Sequence, residues 1–253
     1  MSRVEEYQET LRYMMRINNN GFRPVNSAAY DKRIDVLKCL VNSGIDVTEI
    51  SKLSSTILDD IDATEILHSS CCSMNARKSL HDEGNTALHI ASRKGHLEVL
   101  EFLFECNWDA NHQNDLGETA LHMAVGESHT EVATLLIANG INVNAKDVED
   151  RTALHYASEM GHIEMVVLLL TNNANVNAKD DGGATPFHIA AEQGDADIVT
   201  AMLPYTSRTS RTALRLAKKG RHTDVVALIE SAIEEQQNPG FKRAWVDNRH
   251  VTL

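Results

Sequence analysis

Hydrophobic residues recur in short blocks along the middle of the chain, and each block predicts a buried helix. One block carries apolar residues at helical spacing, at Val132, Leu135, Leu136 and Ile137. Another, from Ile163 to Leu170, is apolar almost throughout, which is expected of a helix with neighbours on more than one side. A shorter apolar stretch precedes each block. We therefore expect pairs of short helices packed between similar pairs.

These blocks belong to a sequence repeat with a period of 33 residues. The start of the repeat is marked by a Thr-x-x-His string in four copies, at Thr86, Thr119, Thr152 and Thr185. The first three copies read Thr-Ala-Leu-His and the fourth reads Thr-Pro-Phe-His. A fixed period of this length is typical of a solenoid, in which each small unit contacts only its neighbours.

Several other positions recur in the same register. An Ala follows each Thr by five residues, an acidic residue follows by twelve, and an Asn follows by 25 in three copies. The period and the Thr-Ala-Leu-His core resemble the ankyrin repeat. The resemblance implies an all-α repeat solenoid, an array of helix-turn-helix units with projecting β-hairpin fingers. It also implies a structural role for the repeated histidines, through hydrogen bonds within and between repeats: His89, His122, His155 and His188.

The ends of the helices are also indicated by the sequence. Gly140, Asn107 and Asn173 occupy equivalent positions after the second helix of a repeat. Gly and Asn tolerate the left-handed conformation that commonly ends a helix. Pro204 falls near the end of the second helix of the fourth copy, where it predicts an early stop.

The regularity of the pattern divides the chain into segments. Strong resemblance covers about residues 82–204, and a fifth copy starts at Thr212, only 27 residues after the fourth. Terminal repeats of solenoids are normally atypical caps. We expect the following order: 1–21, an N-terminal capping helix; 22–54, a degenerate repeat; 55–81, an irregular helical or loop segment; 82–113, 114–146 and 147–179, ankyrin repeats; 180–207, a truncated repeat; 208–237, a C-terminal capping repeat; and 238–253, a flexible tail.

The tail combines aromatic and basic residues. After the helix-breaking cluster Asn238-Pro239-Gly240, the chain reads Phe-Lys-Arg-Ala-Trp-Val from Phe241 to Val246. This stretch is either a short docking motif or a segment that folds back on the last repeat.

Charge separates the repeats from their flanks. Residues 82–204 contain 20 Asp or Glu and 5 Lys or Arg, whereas residues 205–253 contain 5 and 9. An acidic array repels phosphates, so we expect no direct binding of nucleic acid by the array. A protein partner with a basic segment would be attracted instead. The alternative is an acidic surface that only keeps the protein soluble.

The sequence lacks the motifs that carry common chemistry. It has no phosphate-binding loop and no Gly-x-Ser-x-Gly string. Its cysteines form no Cys-x-x-Cys pair, and the repeated histidines have no ligand at metal-binding spacing. We predict no enzyme activity, no catalytic, cofactor-binding or metal site, and no cofactor.

Location and assembly follow from the same composition. No apolar run approaches the roughly 20 residues of a membrane span, and the first residues are charged where a signal peptide is apolar. We expect a protein of the cytoplasm or nucleus, without membrane insertion and monomeric by itself.

The resemblance places partner contacts on the fingers and at the ends of the first helices. Leu116, Val148 and Met160 are apolar where the fold does not demand it, and they are candidate anchors within a ring of carboxylates. Single apolar residues on a surface are also ordinary. The candidate contact residues are Asp82, Glu83, Asn85, Arg93, Lys94, Asp115, Leu116, Glu118, Glu127, Val148, Glu149, Arg151, Glu159, Met160, Asp181, Glu192 and Gln193.

Three asparagines have a second interpretation. Asn111, Asn144 and Asn177 each lie eight residues after a Leu. This context resembles that of ankyrin-repeat asparagines hydroxylated by an oxygen-sensing dioxygenase, and the resemblance implies that they are open to this modification. Their other role is to hold the hairpins by hydrogen bonds.

Together these features favour a non-catalytic protein–protein interaction module. It would act as an adaptor, scaffold or inhibitor and bind its partner on the acidic concave and finger face. The alternative is a regulatory or targeting subunit of a transcriptional or ubiquitin-ligase assembly, with the effector function in the terminal segments.

Overall fold

The computed structural model describes residues 28–42, 84–206 and 211–237, with the side chains of 39–42 and 236–237 excepted. The predicted capping helix 1–21, the segment 55–81, the tail 238–253 and most of the degenerate repeat 22–54 lie outside these ranges. So do the candidate residues Asp82 and Glu83. The chain divides into two compact units, Met1–Asn142 and Val143–Leu253.

The first unit consists of paired helices. Their bounds are α1 Ile34–Asn42, α2 Ala87–Lys94, α3 Leu97–Glu105, α4 Ala120–Gly126 and α5 Thr130–Ala138. The first helices of successive repeats, α2 and α4, pack on each other, and the second helices, α3 and α5, do the same. Each first helix also packs on its own second helix.

The second unit continues the same pattern. Its helices are α6 Ala153–Glu159, α7 Ile163–Thr171, α8 Pro186–Gln193, α9 Ala196–Met202, α10 Arg211–Gly220 and α11 Thr223–Gln237, with a 3₁₀ turn at Leu203–Tyr205 after α9. Helices α6, α8 and α10 pack in sequence, as do α7, α9 and α11. Pro204 lies in the 3₁₀ turn, so α9 ends early, as the sequence predicted.

The repeated Thr and His start each first helix. At α2, the Thr86 N–H donates to Nδ1 of His89 at 3.2 Å. Because Nδ1 accepts, the ring proton sits on Nε2, which donates to the carbonyl of Glu118 in the next repeat at 3.0 Å. The same Thr-to-His bond recurs at His122, His155 and His188. The histidines are therefore structural, as expected.

The helix ends adopt the predicted left-handed conformation. Gly140, Asn107 and Asn173 have φ values of 81°, 58° and 64°. A second left-handed position joins the two helices of a repeat, with Gly95 at φ 72° and Ser128 at φ 58°. A Cβ on Gly95 would also lie 2.9 Å from the His129 ring, so this copy has two reasons for glycine.

The fingers differ from the predicted β-hairpins. No residue in the described ranges lies in a β-strand, and the fingers are tight turns. In the turn at 147–151, the Asp147 N–H donates to the Arg151 carbonyl at 2.9 Å. The Asp147 carboxylate accepts the N–H groups of Glu149 and Arg151 at 2.9 and 2.8 Å. One backbone bond and the Asp147 side chain thus close the turn without a strand ladder.

The buried face of one second helix also differs from the sequence expectation. Val132, Ala133 and Leu136 of α5 are at most 1% exposed, whereas Leu135 and Ile137 are only half-buried. Because the block is apolar on several sides, its sequence does not show which side faces the neighbouring helices.

Candidate partner-binding surface

Most of the predicted contact residues lie at the surface of their unit. The exposed ones in the first unit are Lys94, Asp115, Leu116 and Glu127, and in the second unit Val148, Glu149, Glu159, Met160, Asp181, Glu192 and Gln193. Arg93, Glu118 and Arg151 are half-buried.

Asn85 is the exception. It is only 6% exposed, and its side-chain oxygen accepts from Nδ2 of Asn114 at 3.0 Å. The assignment of Asn85 to the contact surface is therefore wrong, because its side chain braces the neighbouring finger. Glu118 has a similar role, since its carboxylate accepts from Nδ2 of Asn114 at 3.0 Å.

The exposed apolar side chains have different settings in the two units. In the first unit, Leu116 is 41% exposed at the tip of the finger that follows Asn114. In the second, Val148 is 68% exposed at the tip of the turn 147–151, and Met160 is 51% exposed just after α6. Of these three candidate anchors, two therefore lie in the second unit and one in the first.

A charged network joins the finger of the second unit to α6. The Arg151 guanidinium donates to Glu159 at 2.9 Å and lies 3.4 Å from the Glu149 carboxylate. Its Cζ stacks 4.2 Å from the centre of the Tyr156 ring. The Tyr156 hydroxyl in turn donates to Asp147 at 2.8 Å. Val148 lies between Asp147 and Glu149 of this network, and Met160 directly follows Glu159.

The sequence analysis did not identify two members of this network, Asp147 and Tyr156. Asp147 belongs to a recurring position, since Asn114 and Asp180 lie 33 residues to either side of it. Tyr156 replaces the apolar residues found at its position in the other copies, Ile90, Met123 and Ile189. The sequence therefore contained two signals. One was the polar residue that recurs in the turn, at Asp147, and the other was the departure of Tyr156 from the apolar pattern of its position.

The three asparagines predicted to be open to hydroxylation lie at exposed positions. Asn111 accepts from the N–H of Asn142 at 2.7 Å, and Asn144 accepts from the N–H of Asn175 at 2.7 Å. These bonds join successive repeats within each unit, so they fit the holding role. Asn177 is also exposed, and hydroxylation of the three stays a prediction.

Burial favours the neutral form of three of the repeated histidines. It lowers the pKa of His89 to about 4 and also lowers the pKa values of His155 and His188. Neutral imidazoles suit the Thr-to-His bond, because Nδ1 must accept.

The described residues contain no candidate metal site and no helix that could span a membrane. Nowhere in them do three or more His, Cys, Asp or Glu side chains come together in a way that could hold a metal ion. None of their helices combines the length and apolar character needed to cross a membrane.

Comparison with known proteins agrees with this architecture. A model for ankyrin repeats in three copies matches residues 88–180, a model for ankyrin repeats in many copies matches 25–104, and one for a single ankyrin repeat matches 182–206. No curated protein matches the chain significantly. Ankyrin repeats generally mediate protein–protein interactions and are typically non-catalytic. With the 33-residue period and the paired helices, these matches show that the chain belongs to the ankyrin repeat family.

Proposed function

We propose that this protein is a non-catalytic adaptor or inhibitor that binds a partner through a basic segment, and that Val148 and Met160 anchor the contact. The observation that carries the proposal is the exposure of these two side chains, 68% and 51%, next to carboxylates of the same unit. Desolvated apolar anchors surrounded by polar groups contribute most of the binding energy in many interfaces.

Charge favours a basic partner over an acidic one. Residues 143–206 contain ten Asp or Glu and three Lys or Arg. Two of these cations already contact carboxylates: Lys146 lies 3.2 Å from Asp150, and Arg151 lies 2.9 Å from Glu159. The remaining field is negative, and it would speed the encounter with a basic segment.

The network around Arg151 supports the proposal because it orders the side chains next to the proposed anchors. Arg151 is held by Glu159 and Glu149 and stacks on Tyr156. Side chains that are ordered before binding lose less conformational entropy when a partner arrives. The surface between Val148 and Met160 is therefore prepared for contact.

The test is capture of partner proteins with the full chain and two matched variants. Val148→Asp places a charge on the proposed anchor, and Val167→Asp places the same charge on α7, where Val167 is 44% exposed. We expect a partner that is captured by the parent and by Val167→Asp, lost from Val148→Asp, and weakened as salt rises through ~0.15 M, where the Debye length is ~8 Å.

A partner retained equally by both variants would contradict the proposal and move binding to another surface. Melting of the two variants, followed by circular dichroism, controls for folding. Both positions are exposed, so each change is expected to alter stability by less than about 0.5 kcal/mol.

A further inference from the structure

Helix α10 carries a basic face, although the repeats before it are acidic. Residues 211–221 contain five Lys or Arg and no Asp or Glu, whereas residues 143–206 contain three and ten. All five cations are exposed, and Ala213 and Ala217 on the other side of the helix are completely buried. Four of the cations lie within the helix, three or four residues apart and so on one side of it. We call these four the basic face: Arg211, Arg215, Lys218 and Lys219.

The basic face points away from α8. In the repeat register, Arg215 takes the place of His188 of α8, and Lys218 takes the place of Ala191. Ala191 is completely buried in α8, which packs on α10, whereas Lys218 is exposed. The cations therefore occupy the side of α10 that corresponds to the side on which α8 receives its neighbour.

Most of these cations lack a counter-charge within the described residues. Lys218 lies 2.7 Å from Glu230 of α11. Like charges three or four residues apart destabilise a helix, and the helix dipole disfavours the positive charge of Arg211 in the first turn. Four of the five cations make no ion pair and no side-chain hydrogen bond with another described residue: Arg211, Arg215, Lys219 and Arg221.

A polar cap accounts for only part of this pattern. The last repeat of a solenoid needs a polar outer surface, but neutral or acidic side chains would supply it as well as basic ones. A cap therefore does not require a single sign of charge, opposite to that of the preceding repeats. Attraction to carboxylates does require it, and Arg, which supplies three of the five cations, can bind a carboxylate through two parallel hydrogen bonds.

The spacing of the basic face fits an extended chain. Arg211, Arg215 and Lys219 follow one another at intervals of four residues, which is about 6 Å along a helix at about 1.5 Å per residue. Alternate residues of an extended chain point to the same side and lie about 6.6 Å apart, at about 3.3 Å per residue. Carboxylates at every second position of such a chain can each meet one cation.

The surroundings of the basic face favour a narrow partner. Arg211 and Lys219 are only about 12 Å apart along the helix, and residues 143–206 of the same unit carry an excess of carboxylates. A nucleic-acid duplex or a membrane surface is wider than this face and would bring phosphates against those carboxylates. An extended peptide fits within the face. In ~0.15 M salt, where charges are screened beyond ~8 Å, it would respond mainly to the cations that it touches.

We propose that the basic face of α10 binds an extended acidic segment of a protein partner, with Asp or Glu at every second position. Arg211, Arg215 and Lys219 pair with successive carboxylates. Each exposed pair strengthens binding by a factor of about 1.5–5, so this contact mainly sets the orientation and specificity of the partner. The inference does not rest on the proposed function, because Val148 and Met160 take no part in it.

The first experiment is an NMR titration of the full chain at ~0.15 M salt. The probe is the capped pentapeptide Glu-Ser-Glu-Ser-Glu, and the side-chain Nε–H signals of Arg211 and Arg215 are followed. We expect saturable shifts of these signals and of the α10 amides, with a dissociation constant on the order of 10 mM from three exposed pairs. The capped peptide Ser-Glu-Glu-Glu-Ser has the same composition but only two carboxylates on one side, so it should bind about 1.5- to 5-fold more weakly.

Two matched double variants assign the binding to the basic face. Arg215→Gln with Lys219→Gln removes two cations from the face, and Lys32→Gln with Lys38→Gln removes two exposed cations from the first unit. The first variant should weaken binding of Glu-Ser-Glu-Ser-Glu about 2- to 25-fold, and the second should leave it unchanged. Equal weakening in both variants would show that net charge alone attracts the peptide, and the proposal would then be wrong.

Three results on the parent chain also contradict the proposal, and none of them depends on the folding of a variant. The first is the absence of shifts at Arg211 and Arg215, and the second is equal affinity for the two peptides. The third is tighter binding of an oligonucleotide of four thymidines, which carries the same three negative charges. That result would assign the face to single-stranded nucleic acid.

Discussion

A single repeated histidine fixes both a helix start and its own charge state. The bond from the Thr86 N–H requires a lone pair on Nδ1 of His89, and the bond to the Glu118 carbonyl requires a proton on Nε2. The neutral ring satisfies both and the charged ring does not. His89 is 1% exposed, so a positive charge there would also lose its hydration.

Stability should fall at mildly acidic pH for this reason. In the folded chain burial lowers the pKa of His89 to about 4, from an ordinary value of 6.5. The unfolded chain therefore binds more protons between these values, so this stabilisation is complete above pH ~6.5 and is lost as the pH falls toward ~4. His155 and His188 act in the same direction.

Urea unfolding at pH 7.5, 6 and 5 measures the effect. The expected result is a free energy of unfolding that decreases at each step. Protonation of carboxylates acts the other way in this acidic chain, by relieving repulsion. A stability that is constant or rises from pH 7.5 to 5 would show that the buried histidines do not dominate.

At the scale of the element, two adjacent leucines of α5 are equally hydrophobic but differ in burial. Leu136 is completely buried, and Leu135 is half-buried. Leu136→Ala should therefore cost about 2–5 kcal/mol of unfolding free energy, as truncations of buried leucines do. Leu135→Ala removes the same atoms from a more exposed site and should cost clearly less. Urea unfolding of both variants gives the two values, and equal losses would contradict the packing of α5.

The sequence predicts most of these elements and few of their details. The 33-residue register gave the helix pairs, the left-handed ends at Asn107 and Asn173, and the early stop at Pro204. It did not distinguish Leu135 from Leu136, because an apolar helix with several neighbours has no single polar side. Nor did it identify Asn85 as buried, because its side-chain bond to Asn114 spans 29 residues and depends on how the repeats stack.

At the scale of the whole molecule, charge is uneven along the chain. Residues 82–204 contain 20 acidic and 5 basic residues, and the excess negative charge is self-repulsive in the folded state. Ionic strength should therefore raise the melting temperature, since the Debye length shrinks from about 30 Å at 0.01 M salt to about 8 Å at 0.15 M. Thermal melts in NaCl test this, and KCl should act alike because screening does not depend on the ion. A melting temperature that falls over this range would mean that screened ion pairs outweigh repulsion.

The left-handed position between the two helices of a repeat has a consequence for how the sequence of such a chain can change by substitution. Gly95, Gly161 and Gly194 occupy it in three copies, but Ser128 and Arg221 adopt the same conformation in two others, with φ values of 58° and 62°. A side chain in this conformation costs roughly 1–2 kcal/mol, which the packing of neighbouring helices offsets. Each copy can therefore depart from the shared template on its own. An array of near-identical units can in this way acquire, one substitution at a time, a surface that no single repeat specifies.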